Sequence, residues 1–167
     1  MSAAVSGQMK PRAATVFSQP SDRENAVTRV FHAPIDRVFR VFTDPVYAPS
    51  VFAENPADAT IEEMDVRPGG RFSIVVRGRD GSTTRFFGEY REVIPLRRVV
   101  NTFNVSALPG VLALETDEFE AAGEDTRLTV RWKFDSREDR DKMYGPEFEA
   151  AVTKGWDLVD RVLESMP

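Results

Sequence analysis

Few side chains in this sequence could carry out covalent chemistry, because it holds one histidine, His32, and no cysteine. Hydrolytic and transfer sites need a nucleophile, a base and an orienting group within reach of one another, and most such sets draw on imidazole or thiolate. His32 stands between a β-branched run and Ala33-Pro34, the place of a turn or capping residue rather than a general base. A lone imidazole without thiolates does not build a conventional zinc site, so no metal and no other cofactor is expected. The carboxylates fall in two groups: Glu62, Glu63 and Asp65 on an alternating segment, and Asp135, Glu138, Asp139 and Asp141 interleaved with arginines. Both patterns read as solvated faces and ion pairs. Gly69-Gly70 is no phosphate loop, since the Lys-Ser/Thr pair is missing and a strand follows instead of a helix. No catalytic residue is assigned. The polar groups suited to a cavity are Tyr90, Glu92, Asn101 and Thr116, in strand-like segments whose inward face parity alone does not fix. A buried Glu92 with a raised pKa would serve a cyclase-like enzyme as acid or base; a salt-bridged structural glutamate is the alternative.

Turn chemistry marks out the elements that would hold these groups. Asn25 to Phe31 is rich in β-branched residues and reads as a first strand. Pro34 suits a first helical turn, Ile35, Val38, Phe39 and Phe42 share one helical face, and Thr43-Asp44-Pro45 ends the segment. A second short helix is expected within Val46 to Phe52, then a strand from Ala59 to Val66. Arg67-Pro68-Gly69-Gly70 has the residues of a type II turn, and Asp80-Gly81 those of a two-residue hairpin. Strands at Arg71 to Gly78, Thr83 to Val93, Arg98 to Val105, Val111 to Glu120 and Arg127 to Phe134 complete a meander. In the last, Leu128, Val130, Trp132 and Phe134 alternate with polar residues and face the core. Ser136 and Asp139 resemble a capping box, and Gly145-Pro146 restarts a helix that runs to about Ser165, ~30 Å long. Phe148, Ala151, Val152, Trp156, Val159, Val162 and Leu163 form one apolar stripe on it.

Only the concave face of the meander offers that stripe enough apolar surface. The expected architecture is α+β: a curved antiparallel sheet of six to seven strands wrapped around a long C-terminal helix, with two short helices after the first strand. Gly155 lies on the stripe, where a glycine costs ~1 kcal/mol relative to alanine. Either the helix approaches a strand closely there, or space is left between helix and sheet. Bent sheets that grip a straight helix are hard to fill at every level, which favours a cavity between the two. Its candidate lining is Phe42, Phe52, Phe72, Tyr90, Glu92, Asn101, Thr116, Trp132, Val152, Gly155, Trp156 and Val159.

With 167 residues the chain suits one domain, expected over 24–166, preceded by a flexible tail over 1–23 that lacks apolar periodicity. The net charge of -5 disfavours nucleic acid, and no apolar run is long enough for membrane insertion. The first two dozen residues lack the apolar run of a secretory signal, so a cytoplasmic location is expected.

Certain motifs occur together and in order: VFHAP at 30–34, TDP at 43–45, DVRPGGRF at 65–72, GEYREVIP at 88–95, TRLTV at 126–130 and GW at 155–156. Over residues 25 to 164 the chain thereby resembles the activator-of-heat-shock-protein-90-ATPase-like branch of the SRPBCC superfamily, proteins of START-like, birch-pollen-allergen-like helix-grip fold. The resemblance implies a hydrophobic cavity. It also implies a range of functions, since relatives of this fold include lipid carriers, polyketide cyclases, toxin-resistance proteins and a co-chaperone domain; the expectations for this chain are binding of a small hydrophobic molecule, a polyketide cyclase- or aromatase-like activity, or a protein-interaction role with a chaperone partner. A homodimer is a further expected partner state. Many members carry tryptophan shortly after the TDP segment, where this chain has Val51-Phe52.

Overall fold

The computed structural model describes residue 11 and residues 13–167. Eight strands form one antiparallel sheet: β1 (Val16–Ser21), β2 (Glu24–Phe31), β3 (Ala59–Met64), β4 (Arg71–Arg77), β5 (Thr83–Ile94), β6 (Arg98–Val105), β7 (Leu112–Ala122) and β8 (Asp125–Phe134). Their spatial order, β1-β2-β8-β7-β6-β5-β4-β3, makes β3 to β8 a continuous meander whose last strand returns beside β2. Helices α1 (Ile35–Thr43) and α2 (Pro49–Phe52) and a short 3-10 turn (Pro56–Asp58) connect β2 to β3. After β8, α3 (Arg137–Met143) leads to the long α4 (Pro146–Ser165). This is the helix-grip fold, with α4 running where its apolar stripe requires.

The sheet has eight strands rather than six to seven, and the added one lies inside the segment expected to be a flexible tail. Of that segment, residues 1–10 and 12 lie outside the described residues. β1 escapes a search for apolar periodicity because it is mostly exposed and is held by backbone pairing to β2, with Phe17 opposite Val27. Only Phe17 reaches inward, its ring 6.2 Å from that of Phe148 on α4.

Two turns differ in detail from their sequence signals. Asp80-Gly81 does not form a two-residue hairpin: Gly78 N–H donates to the Ser82 carbonyl, Gly81 N–H donates to Gly78, and only Gly81 has positive φ, 83°. That is a three-residue loop with glycine in the left-handed position, a connection that tolerates ordinary φ at Asp80. Conversely, Ala122 pairs directly with Asp125 across Gly123-Glu124, so β8 begins at Asp125 instead of Arg127.

The core lies between the concave sheet face and the helices, with Val27, Phe31, Ile74 and Leu128 fully buried against Val38 and Val41 of α1 and Val159 of α4. α4 is also fastened to the sheet by charge. The buried Arg29 of β2 donates to Asp160 of α4 and lies 2.9 Å from Asp157. Gly155 marks a close approach to α2, not to a strand. A Cβ there would come within 2.6 Å of the Val51 carbonyl oxygen, so glycine is what lets α4 pass α2.

Candidate functional site

Strand register brings four polar or half-polar side chains into one row across the concave face. Tyr90 of β5 lies opposite Asn101 of β6, Asn101 opposite Glu115 of β7, and Glu115 opposite Trp132 of β8. The Trp132 indole N–H donates to Glu115 Oε2 at 2.5 Å, and the Asn101 amide, which donates to the Thr102 carbonyl at 3.0 Å, also lies near enough to favour the ionised Glu115 carboxylate. One step along β7 on the same face, Asp117 sits between Val99 and Val130.

These groups face a hollow of about 740 Å³ between sheet and helices, within the size range of pockets for drug-sized molecules. Its walls are mainly apolar and aromatic: Phe42 of α1, Phe52 of α2, Phe72 of β4, Phe86 of β5, Phe103 of β6, and Val152 and Trp156 of α4. Several rings pack edge-on or tilted, as between Phe42 and Trp156 at 6.3 Å and between Phe52 and Phe86 at 5.3 Å, while Phe72 stacks on Phe103 at 6.5 Å. The α3–α4 junction from Lys142 to Glu147 and the β6–β7 turn at Ala107 and Leu108 also contribute to the lining.

Of the twelve candidate residues, Phe42, Phe52, Phe72, Tyr90, Asn101, Trp132, Val152 and Trp156 line the hollow. Four do not. Glu92 follows a register shift in β5 that turns it away, and its half-exposed carboxylate lies 3.9 Å from Arg98. Thr116 is on the convex face of β7, Val159 is packed in the core beyond the hollow, and Gly155 lies beneath Val51.

Sequence reasoning missed Glu115 and Asp117. In β7 the inward set is Ala113, Glu115, Asp117 and Phe119, while Leu112 and Leu114 are exposed on the outer face, the reverse of the usual preference. A signal did exist. Counting back from the two-residue turn at Gly123-Glu124 sets Phe119 against Leu128, Asp117 against Val130 and Glu115 against Trp132, so the clear inward face of β8 fixes that of β7.

Burial dominates the electrostatics of the pair. Glu115 lines the hollow, and loss of bulk solvent lifts its pKa to about 7, against the opposing influence of Trp132 and Asn101. Asp117 is raised well above the usual carboxylate range, first by burial and then by the charge of Glu115. The Tyr90 phenol is raised by burial and by the nearby Glu115, Asp117 and Asp65 carboxylates. Among the described residues, none gives the buried Asp117 Oδ1 a hydrogen bond.

A second depression, about 810 Å³, lies at the β2–α1 junction beside His32, Arg37 and Asp125. There His32 Nδ1 is 3.1 Å from Asp125 and Nε2 is 2.9 Å from the Pro11 carbonyl, so the imidazole is tied into the chain as a turn residue. The depression lacks the aromatic walls of the hollow, which is the better candidate site.

A bent antiparallel sheet closed on one long helix, with an apolar hollow between them, defines a START-like helix-grip protein. The chain belongs to the family described as Activator of Hsp90 ATPase homolog 1-like protein, whose profile matches residues 32–166. Among solved structures it is similar to a protein from Rhodobacter sphaeroides at 17% identity and TM-score 0.82, covering 92% of this chain and 100% of that one. It is also similar to a Mycobacterium smegmatis protein at 20% identity and TM-score 0.79, covering 94% and 99% of the two chains. A third, from Arthrobacter aurescens, shows 19% identity and TM-score 0.79, covering 90% and 92%. At these identities the likeness concerns fold. No curated protein matches the sequence.

Proposed function

We propose that the protein binds or sequesters a small hydrophobic or aromatic molecule in the hollow between the sheet and α4. The observation that carries this reading is the hollow itself: about 740 Å³ lined by rings from α1, α2, four strands and α4. Apolar molecules entering it would exchange water for aromatic contact, at ~25 cal/mol per Å² of area removed from solvent. The net charge of -5 fits a small-molecule partner better than a nucleic acid. Among the described residues no helix is long and apolar enough to cross a membrane.

The test is native mass spectrometry with thermal melts across a broad library of apolar and aromatic metabolites. At least one compound should bind one to one and, at a hundred times its Kd, raise the Tm by ~5–10 °C. Val152→Trp, which narrows the hollow, should weaken that compound at least tenfold while the far-UV spectrum stays native. A folded protein that no compound stabilises would overturn the reading.

A second reading, a cyclase- or aromatase-like enzyme, is favoured by one observation. Glu115 shares a row with Tyr90 and Asn101 and titrates near neutrality, as an acid or base should. It requires that a bound aromatic precursor be converted, and that Glu115→Gln abolish conversion while Tyr90→Phe slows it; recovery of the precursor unchanged would exclude it.

A further inference from the structure

We infer that the hollow selects a protonated amine carried on an apolar ring or chain, its ammonium received between the carboxylates of Glu115 and Asp117. The inference rests on the ligand-binding reading and specifies the chemistry of the ligand. The two acids lie two residues apart on the inward face of β7, so their backbone positions are ~7 Å apart, and one ammonium can donate to both. Asp117 is 9% exposed, lines the hollow, and among the described residues its Oδ1 has no hydrogen-bond partner. A buried acceptor in that state costs free energy until a donor arrives. Among the described residues no lysine or arginine pairs with either acid. Lys142, the one cationic side chain in the lining, already lies 3.7 Å from Glu138 and 3.5 Å from Asp139. Trp132 and Tyr90, at the two ends of the row, add aromatic faces that attract cations. A carboxylate ligand would meet like charge, a ligand without a donor would leave Asp117 unpaired, and a neutral hydroxyl would supply one hydrogen bond without the charge.

Binding a cation there displaces a proton to solvent, because burial keeps the pair partly protonated near neutrality. The other ionisable groups facing the hollow are Tyr90 from β5, Lys142 from α3, Tyr144 from the α3–α4 junction, whose phenol donates to Glu149, and Glu147 from the first turn of α4; the remaining lining side chains are uncharged.

The experiment compares 2-naphthylmethylamine, 2-naphthylmethanol and 2-naphthoate by titration calorimetry at pH 7.5. The amine should bind at least tenfold more tightly than the alcohol, with naphthoate weakest. That amine-over-alcohol ratio should shrink at pH 5.5 and fall to within about threefold in Asp117→Asn and in Glu115→Gln, each checked for native near-UV signal. The pH comparison uses the unaltered protein and so stands even where a variant fails to fold. An alcohol or acid that binds as tightly as the amine would overturn the inference and leave the hollow's binding role intact. Failure of all three compounds to bind, with the apolar library also negative, would overturn both.

Discussion

The carboxyl of Glu115 titrates near neutrality because burial opposes its charge more strongly than the Trp132 and Asn101 donors favour it. Its folded pKa of about 7 stands above the ordinary 4.5, so between those values the native state holds a proton that the unfolded chain releases. Stability from this group is therefore present at acid pH and lost as pH rises through that window, by up to ~1.4 kcal/mol per pH unit. Asp117 shifts in the same direction. Glu115→Gln keeps an acceptor for the indole N–H and removes the titration; in urea melts it should gain on the unaltered protein between pH 5 and 7.5, and an unchanged difference would refute the assignment. At this scale the sequence was half legible. Tyr90 and Asn101 are two of four polar strand residues the sequence offers without fixing their face, whereas Glu115 and Asp117 escape notice because acids on a strand ordinarily face water. Glu92 was misplaced by a register shift in β5 that no residue type announces.

The elements were more legible than the site, since Pro, Gly and capping residues punctuate them. α4 was readable almost to the residue: Gly145-Pro146 opens it, and its stripe places Trp156 under the sheet, 4% exposed and 5.5 Å from the Phe31 ring. Trp156→Ala should cost about 3–5 kcal/mol in denaturant melts; a loss below ~1 kcal/mol would contradict the helix's placement. Gly155 illustrates how tertiary contact overrides propensity. Gly155→Ala would stabilise an isolated helix by ~1 kcal/mol, yet the Val51 carbonyl occupies the space the methyl needs, so it should destabilise the protein by roughly 1–3 kcal/mol. The β5–β6 turn runs the other way. Leu96, following Pro95, has φ 62°, and Arg97 N–H closes the turn on the Ile94 carbonyl at 3.0 Å. That position of a type II turn favours glycine, so Leu96→Gly should raise stability by about 0.5–1 kcal/mol; a loss would show that the exposed leucine serves packing. β1 was illegible because backbone pairing, not side-chain burial, holds it.

At the scale of the molecule, the helix-grip architecture follows from one amphipathic helix and one bent meander, but the hollow does not follow from composition. Twelve phenylalanines and two tryptophans could equally have filled the interior; whether they meet or stand apart depends on curvature and register, which emerge only once the strands are paired. Both tryptophans, Trp132 and Trp156, front the hollow, from the sheet and from α4 respectively. Intrinsic tryptophan emission is therefore a reporter confined to the proposed site. The most direct measurement of the central claim is that emission during titration with the best-binding apolar compound. Binding in the hollow requires a saturable, one-to-one change in intensity or wavelength, with the same midpoint as calorimetry. Emission that stays constant while the compound binds would place the ligand elsewhere and contradict the claim.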